Sequence, residues 1–239
     1  MVVRYFMVSG LFYWLLWVRP QEQLTARRLT GIRPDKALIL SEIRWSLLSS
    51  IIYTIAGAII VEAWKAGGTA LYTDVSDYGW WYVVASLFAY LFVHDTYFYW
   101  THRWMHHPSV FKYLHRVHHE SRQPTPWAAF SFHPWVAIIG SIAVPVMTFF
   151  VPIHVGALMF MLIIMTVTGV LNHTGYEIMP DGWLRGRGGK LFISAAHHNL
   201  HHQHYRCNYG LYFRFWDKLM GTDVMESEYE FLQREPQIV

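Results

Sequence analysis

WVAIIGSIAVPVMTFFVPIHVGALMFMLIIMTVTGVL, residues 135–171, is almost wholly apolar. A single helix crosses the ~30 Å hydrocarbon layer of a bilayer in roughly twenty residues, so this stretch is long enough for two. Pro145 and Pro152 lie inside it. Proline removes a backbone donor and crowds the preceding turn, which places the reversal near Pro152-Ile153-His154 and makes the stretch a helical hairpin. Upstream, Trp80–Trp100 reads as a span that opens on Trp80-Trp81-Tyr82 and closes on Tyr97-Phe98-Tyr99-Trp100, an aromatic girdle at each end. Trp45–Val61, continuing into Ala63 and Trp64, reads as another. Tyr5–Val18, between Arg4 and Arg19-Pro20, is shorter. It is expected to be a marginal first span or an interfacial helix; one Arg ahead of it and no small-residue cleavage site after it make a signal peptide the weaker reading.

The composition agrees with that reading. Apolar residues make up 54% of the 239 and charged residues 15%, against roughly 45–50% and about 25% in ordinary globular proteins. Mean hydropathy is +0.19. Disordered, collagen-like and free-standing nucleic-acid-binding chains are poorly compatible with these figures. The net charge of +3 is too mild to imply a nucleic acid partner. A single cysteine, Cys207, excludes an intrachain disulfide framework and any multi-cysteine metal site.

Loop charge suggests orientation. Residues 19–44 carry Arg19, Arg27, Arg28, Arg33, Lys36 and Arg44 against Glu22, Asp35 and Glu42, whereas 62–79 has only Lys65 against Glu62, Asp74 and Asp77. The positive-inside tendency places 19–44 in the cytoplasm and 62–79 on the far side. The span at 80–100 returns the chain to the cytoplasmic side, and the hairpin leaves and re-enters there. The expectation is an all-α integral membrane bundle of about four to five spanning helices. It forms a single membrane domain over 1–239, with N-terminal spans in 1–93 and a short tail at 223–239. Met179–Lys190 is Gly-rich and polar, the one clear exposed loop.

Histidine is the anomaly. There are 15, and all lie between His94 and His204. His102 and His106 are spaced i, i+4; His115, His118 and His119 are spaced i, i+3, i+4, as are His198, His201 and His202. On a helix these spacings put imidazoles on one face, a turn apart. Such neighbours repel when protonated and become favourable when a cation takes their lone pairs. One four- to six-coordinate ion cannot use all of these rings, so two metals are the natural count. Imidazole suits zinc, copper, iron and nickel alike. A hydrolytic zinc site also needs a nearby carboxylate base, and Asp95, Glu120 and Glu177 are the only acids within the His-rich segments. That scarcity favours a redox-capable pair.

The wording of these segments resembles the fatty acid hydroxylase/sterol desaturase superfamily. The resemblance runs from His94-Asp-Thr-Tyr-Phe-Tyr-Trp-Thr-His102-Arg-Trp-Met-His106-His107-Pro through His115-Arg-Val-His118-His119 and Pro124-Thr-Pro-Trp-Ala-Ala-Phe-Ser-Phe-His133-Pro. It continues in Asn172-His173-Thr-Gly-Tyr-Glu177 and Ala196-His197-His198-Asn-Leu-His201-His202, then Asn208-Tyr-Gly and Phe215-Trp-Asp-Lys-Leu-Met-Gly-Thr222. It covers about 94–222 and is closest to sterol desaturases of the lathosterol oxidase type. It implies two irons (Fe2+/Fe3+) held by histidines in a helical cap on the cytoplasmic side of the bundle. It also implies that dioxygen and external electrons are used to hydroxylate or desaturate a lipid. Carried over by position, the ligands are His102, His106, His115, His118, His119, His198, His201 and His202, with His173 at a further ligand position. Fatty acid hydroxylases carry a second histidine four residues after His173, where this chain has Glu177: a carboxylate ligand, a base behind the ligands or a surface residue. His133-Pro134 also matches, but members often have an acid shortly after the proline and Val136-Ala137 follow here. His133 is then a ligand, a substrate-pocket residue or structural. Asp95, seven residues before His102, shares its helical face and could orient an imidazole or pair with Arg103 or Arg116.

Dioxygen reduction to water takes four electrons and the C–H substrate supplies two. The length leaves no room for a reductase, so a separate donor, a ferredoxin or a small haem cytochrome, is expected. Arg103, Lys112, Arg116, Arg122, Arg185, Arg187, Lys190 and Arg206 crowd the face of the boxes, a field that steers an acidic partner and equally suits anionic lipid. The compartment would be the plasma membrane of a bacterium or the endoplasmic reticulum of a eukaryote. A zinc-dependent membrane hydrolase and a non-catalytic metal-binding protein are the alternatives.

Overall fold

A computed structural model describes residues 1–19, 22–29, 31 and 33–225. The tail expected at 223–239 lies mostly outside the described residues. The chain is mainly helical. Helix α1 (Val2–Tyr13) runs on through a widened π turn to Val18, and a short α2 (Glu22–Thr25) follows. Helix α3 (Lys36–Lys65) starts where the Asp35 carboxylate accepts the Leu38 amide at 2.7 Å, an N-cap. Helix α4 (Gly79–Met105) ends at the first histidine box. Short α5 (Pro108–Leu114) and α6 (Arg116–His119) carry the second box.

The apolar stretch at 135–171 folds as α7 (Pro134–Phe150) and α8 (Val155–Asn172). Pro145 stays inside α7, and the reversal falls at 151–154. There β2 (Ile153–His154) pairs in parallel with β1 (Leu71–Tyr72), so the hairpin turn and the loop after α3 meet at the same end of the bundle. The histidine boxes lie at the other ends of α4 and α8. Beyond α8 come α9 (Asp181–Arg185), α10 (Arg187–Leu191), α11 (Ala195–His204) and α12 (Phe215–Leu219).

Helices α3 and α8 are long and apolar enough to cross a membrane. Burial distinguishes α3 from the core helix of a water-soluble protein. Its buried residues are Glu42, Ser46, Ser49 and Ser50, while Leu40, Leu48, Ile51, Ile55 and Ile59 are exposed. That inversion, with small polar residues at the helix contact and apolar ones outside, is what lipid as solvent selects. The Ser46 and Ser49 hydroxyls donate to the Trp127 and Phe132 carbonyls at 2.9 and 3.2 Å. The amide and hydroxyl of Thr125 both bond the buried Glu42 carboxylate. Together these bonds tie α3 to the loop behind the second box. Trp80, Trp81, Phe88 and Phe92 extend the exposed apolar belt along α4.

Candidate metal centre

Nine imidazoles converge at the boxed end of the bundle. Among the described residues they form two groups that could each hold a metal ion: His102, His106, His115, His119 and His201; and His118, His173, His198 and His202. All but His106 are buried. Helix α4 supplies His102, with His106 at its C-cap, and α8 supplies His173 at its own. His115 closes α5, and His118 and His119 stand on α6. Helix α11, opened by a capping box between Ser194 and His197, carries His198, His201 and His202.

Each three-histidine box divides between the groups. At about 100° per residue, i+4 lies about 40° from i, while i+3 lies about 60° to the other side. The i, i+4 pairs therefore share a group: 102 with 106, 115 with 119, 198 with 202. The i+3 rings, His118 and His201, cross to the opposite group. A helix break at His115 separates the first ring of the second box from the other two, so that box is not the single helical face its spacing suggests.

Hydrogen bonds fix the tautomers of four rings. The Nδ1 atoms of His102, His118, His173 and His201 lie 2.9, 3.3, 2.7 and 2.7 Å from the carbonyls of Tyr209, Ser131, Gly169 and Cys207. A carbonyl only accepts, so in the neutral ring the proton sits on Nδ1 and Nε2 is a bare lone pair. Yet the Nε2 atoms of His118 and His173 face each other at 3.2 Å, with no proton available to join them. Similar Nε2–Nε2 distances run from His102 to His115 (3.0 Å), His119 to His106 (3.1 Å) and His201 to His119 (3.2 Å). In the second group, His198 approaches His173 at 3.0 Å and His202 at 3.2 Å. An ion about 2.0–2.1 Å from each imidazole nitrogen holds neighbouring ligand nitrogens roughly 3.0–3.4 Å apart. The converging lone pairs fit one cation in each group.

Electrostatics favour the same state. Burial first, and neighbouring imidazoles second, push His115, His118, His119, His198, His201 and His202 well below the usual histidine range. The rings are held neutral, the form that binds a metal.

The other candidate residues sit around this centre. His133 lies outside both groups; it caps α7 by accepting the Trp135 amide, with its ring near Trp45. Asp95 is buried and accepts the amides of Leu211 and Tyr212 at 3.1 and 2.7 Å. Asp217, which its position in the sequence does not single out, accepts those of Tyr209 and Gly210, both at 2.8 Å. These two carboxylates pin the 207–213 loop whose Cys207 and Tyr209 carbonyls orient His201 and His102. The chain enters that loop through left-handed residues at Tyr205 (φ 62°), which ends α11, and Asn208 (φ 53°), neither of them a glycine. Gly210 is needed for a close approach instead, since a Cβ there would meet the Phe213 carbonyl at 2.6 Å. Glu177 is buried and accepts the amides of Met179 and Ala196 at 3.0 and 3.1 Å. Burial pushes its carboxyl up, opposed by these bonds and one from Ser194. Glu120 is exposed beside Arg116.

A family model described as fatty acid hydroxylase matches residues 87–222. A Delta(7)-sterol 5(6)-desaturase of Gibberella zeae is 36% identical over 156 residues, covering 65% of this chain and 47% of its own length. Lathosterol oxidases of Mus musculus and Homo sapiens are 34% and 32% identical over 167 residues, covering 69% of this chain. The chain spans about half the length of the curated relatives it matches. No solved structure matches it.

Proposed function

Because the chain belongs to the fatty acid hydroxylase family, we propose that it is a dioxygen-dependent membrane oxidoreductase acting on a lipid C–H bond. Two irons would be held in the histidine groups, one by His102, His106, His115, His119 and His201 and the other by His118, His173, His198 and His202. The substrate is a sterol or a related lipid, as the names of the relatives suggest, and the product is its hydroxylated or desaturated form. The observation that carries this reading is the pair of adjacent, all-nitrogen groups with bare Nε2 lone pairs about 3 Å apart.

When bound, the metals supply the redox chemistry that activates dioxygen. The chain's own contribution is to present neutral ligands and hold them in one orientation. Carbonyls of Ser131, Gly169, Cys207 and Tyr209 retain the Nδ1 protons, so every Nε2 they control stays available. Asp95 and Asp217 act through the 207–213 loop and are positioning residues. Burial of the rings keeps bulk water from the reacting carbon. Two electrons come from a separate ferredoxin or small haem cytochrome, docking on the exposed cations Lys112, Arg116, Arg122, Arg185, Arg187, Lys190 and Arg206. The bundle crosses the membrane four to five times with the histidine cap on the cytoplasmic side. The acids that a hydrolytic zinc site would use as its base are engaged elsewhere: Asp95 and Glu177 with backbone amides, Glu120 on the surface.

The full chain, reconstituted with lipid, iron, a reductant and dioxygen, is expected to convert a sterol-type substrate and to stop when dioxygen is removed. Product formation under strict anaerobiosis would contradict the proposal.

A further inference from the structure

A cavity of about 240 Å³ lies between α4, α8 and the segment from Glu177 to Phe213. None of the nine grouped histidines lines it. At its rim stand Phe88, midway along α4 and 62% exposed, and Phe192, 40% exposed. Phe88 belongs to the outward apolar belt with Val84 and Phe92, so the opening faces the level where lipid chains lie. Inside, the wall is mostly apolar, and the side chains able to hydrogen-bond are Thr168, Asn172, Glu177, Trp183, Ser194 and Tyr212. Asn172 and Ala195 belong to the backbone that delivers His173 and His198, so the inner end adjoins the four-histidine group.

Size and charge narrow the ligand. Pockets that enclose a whole small molecule measure roughly 300–1,000 Å³, so this one takes one end of a lipid and leaves the rest in the bilayer. Among the described residues lining it, Glu177 is the one carboxylate and no Lys, Arg or His is present, while the Tyr212 hydroxyl is engaged with His94 Nδ1 at 3.2 Å. A carboxylate offers about four acceptor sites; the Met179 and Ala196 amides and Ser194 take three of them. The remaining one suits a hydroxyl donor and repels a carboxylate or phosphate.

We propose that the cavity between α4, α8 and the 177–195 segment seats the hydroxyl-bearing end of a neutral lipid, with Glu177 accepting the hydroxyl. Glu177 lies outside both histidine groups, which leaves its carboxylate to ligand recognition. The assignment rests on the proposed function for the identity of the seated lipid as substrate, but the binding itself does not require turnover.

The test uses the full chain in detergent with a photoreactive steroid alcohol and the matching steroid carboxylic acid, and reads labelled peptides and bound metal together. The alcohol is expected to label α4 or the 177–195 segment, and the acid to label them far less. Thr168→Trp, which fills the cavity from α8, is expected to cut labelling about tenfold at unchanged metal content, a loss that two displaced methylenes already produce. Glu177→Gln is expected to erase the preference for alcohol over acid. Undiminished labelling of the metal-loaded Thr168→Trp protein, or equal labelling by the acid in the unsubstituted chain, would overturn the assignment. Normal labelling by a chain that never oxidises lipid would leave the cavity assignment standing and remove the functional reading.

Discussion

His118 and His119 are neighbours in the chain and turn to different groups: His118 faces His173, and His119 faces His106 and His201. His201 crosses in the opposite sense. Replacing either crossing ring therefore removes a ligand from one group alone. His118→Ala is expected to lower metal content by about one ion per chain, from the group holding His173, and to abolish turnover. His201→Ala does the same for the group holding His102. A protein that keeps both ions and full turnover in either variant would contradict the division. The same rings set a pH dependence. Their folded-state affinity for protons is depressed, whereas in the unfolded chain each titrates near about 6.5. The unfolded state thus binds more protons as pH falls, and stability is lost as pH drops through about 6.5. Thermal melting of the metal-free chain in detergent should show that decline between about pH 7 and pH 5; a flat profile would contradict it.

Among the elements, the segment joining α8 to α9 is held from distant parts of the chain. It delivers His173, and is held by the Trp17 indole donating to the Thr174 carbonyl at 2.9 Å and by the Leu29 amide donating to Gly175 at 3.0 Å. Gly175 sits at φ 75°, and a Cβ there would meet Trp17 at 2.6 Å and Gln123 at 2.8 Å. Gly175→Ala should cost about 1–3 kcal/mol and weaken metal retention at the four-histidine group first. A melting temperature and metal content equal to those of the unsubstituted chain would show that this turn does not position His173. Elements also mark the limit of sequence reading. The hairpin at 135–171 is legible because length and Pro152 together allow one reversal. The break between α5 and α6 is not, because an i, i+3, i+4 pattern looks the same whether or not the helix is interrupted at its first residue.

For the whole molecule, hydrophobicity and histidine spacing carry most of the account. The apolar belt on α3, α4 and α7 and the gathering of distant boxes follow from patterns visible along the chain, whereas the serines buried on α3 are not singled out by them. What the patterns omit is backbone. Asp95 shares a helical face with His102, which suggests direct contact, but the imidazole partners are carbonyls of Ser131, Gly169, Cys207 and Tyr209. No side-chain pattern marks a carbonyl, and the acids serve one step further out by fixing the loop that presents two of them. Tertiary convergence likewise decides which rings of the separate boxes gather into one group, and why His133 stays apart. The most direct test of the centre is the metal stoichiometry of the full chain loaded anaerobically with ferrous iron in lipid or detergent. Two irons per chain with nitrogen-only protein ligation, by elemental analysis and X-ray absorption, is the predicted result. A single iron, or a chain with all nine histidines that retains none, would contradict the account.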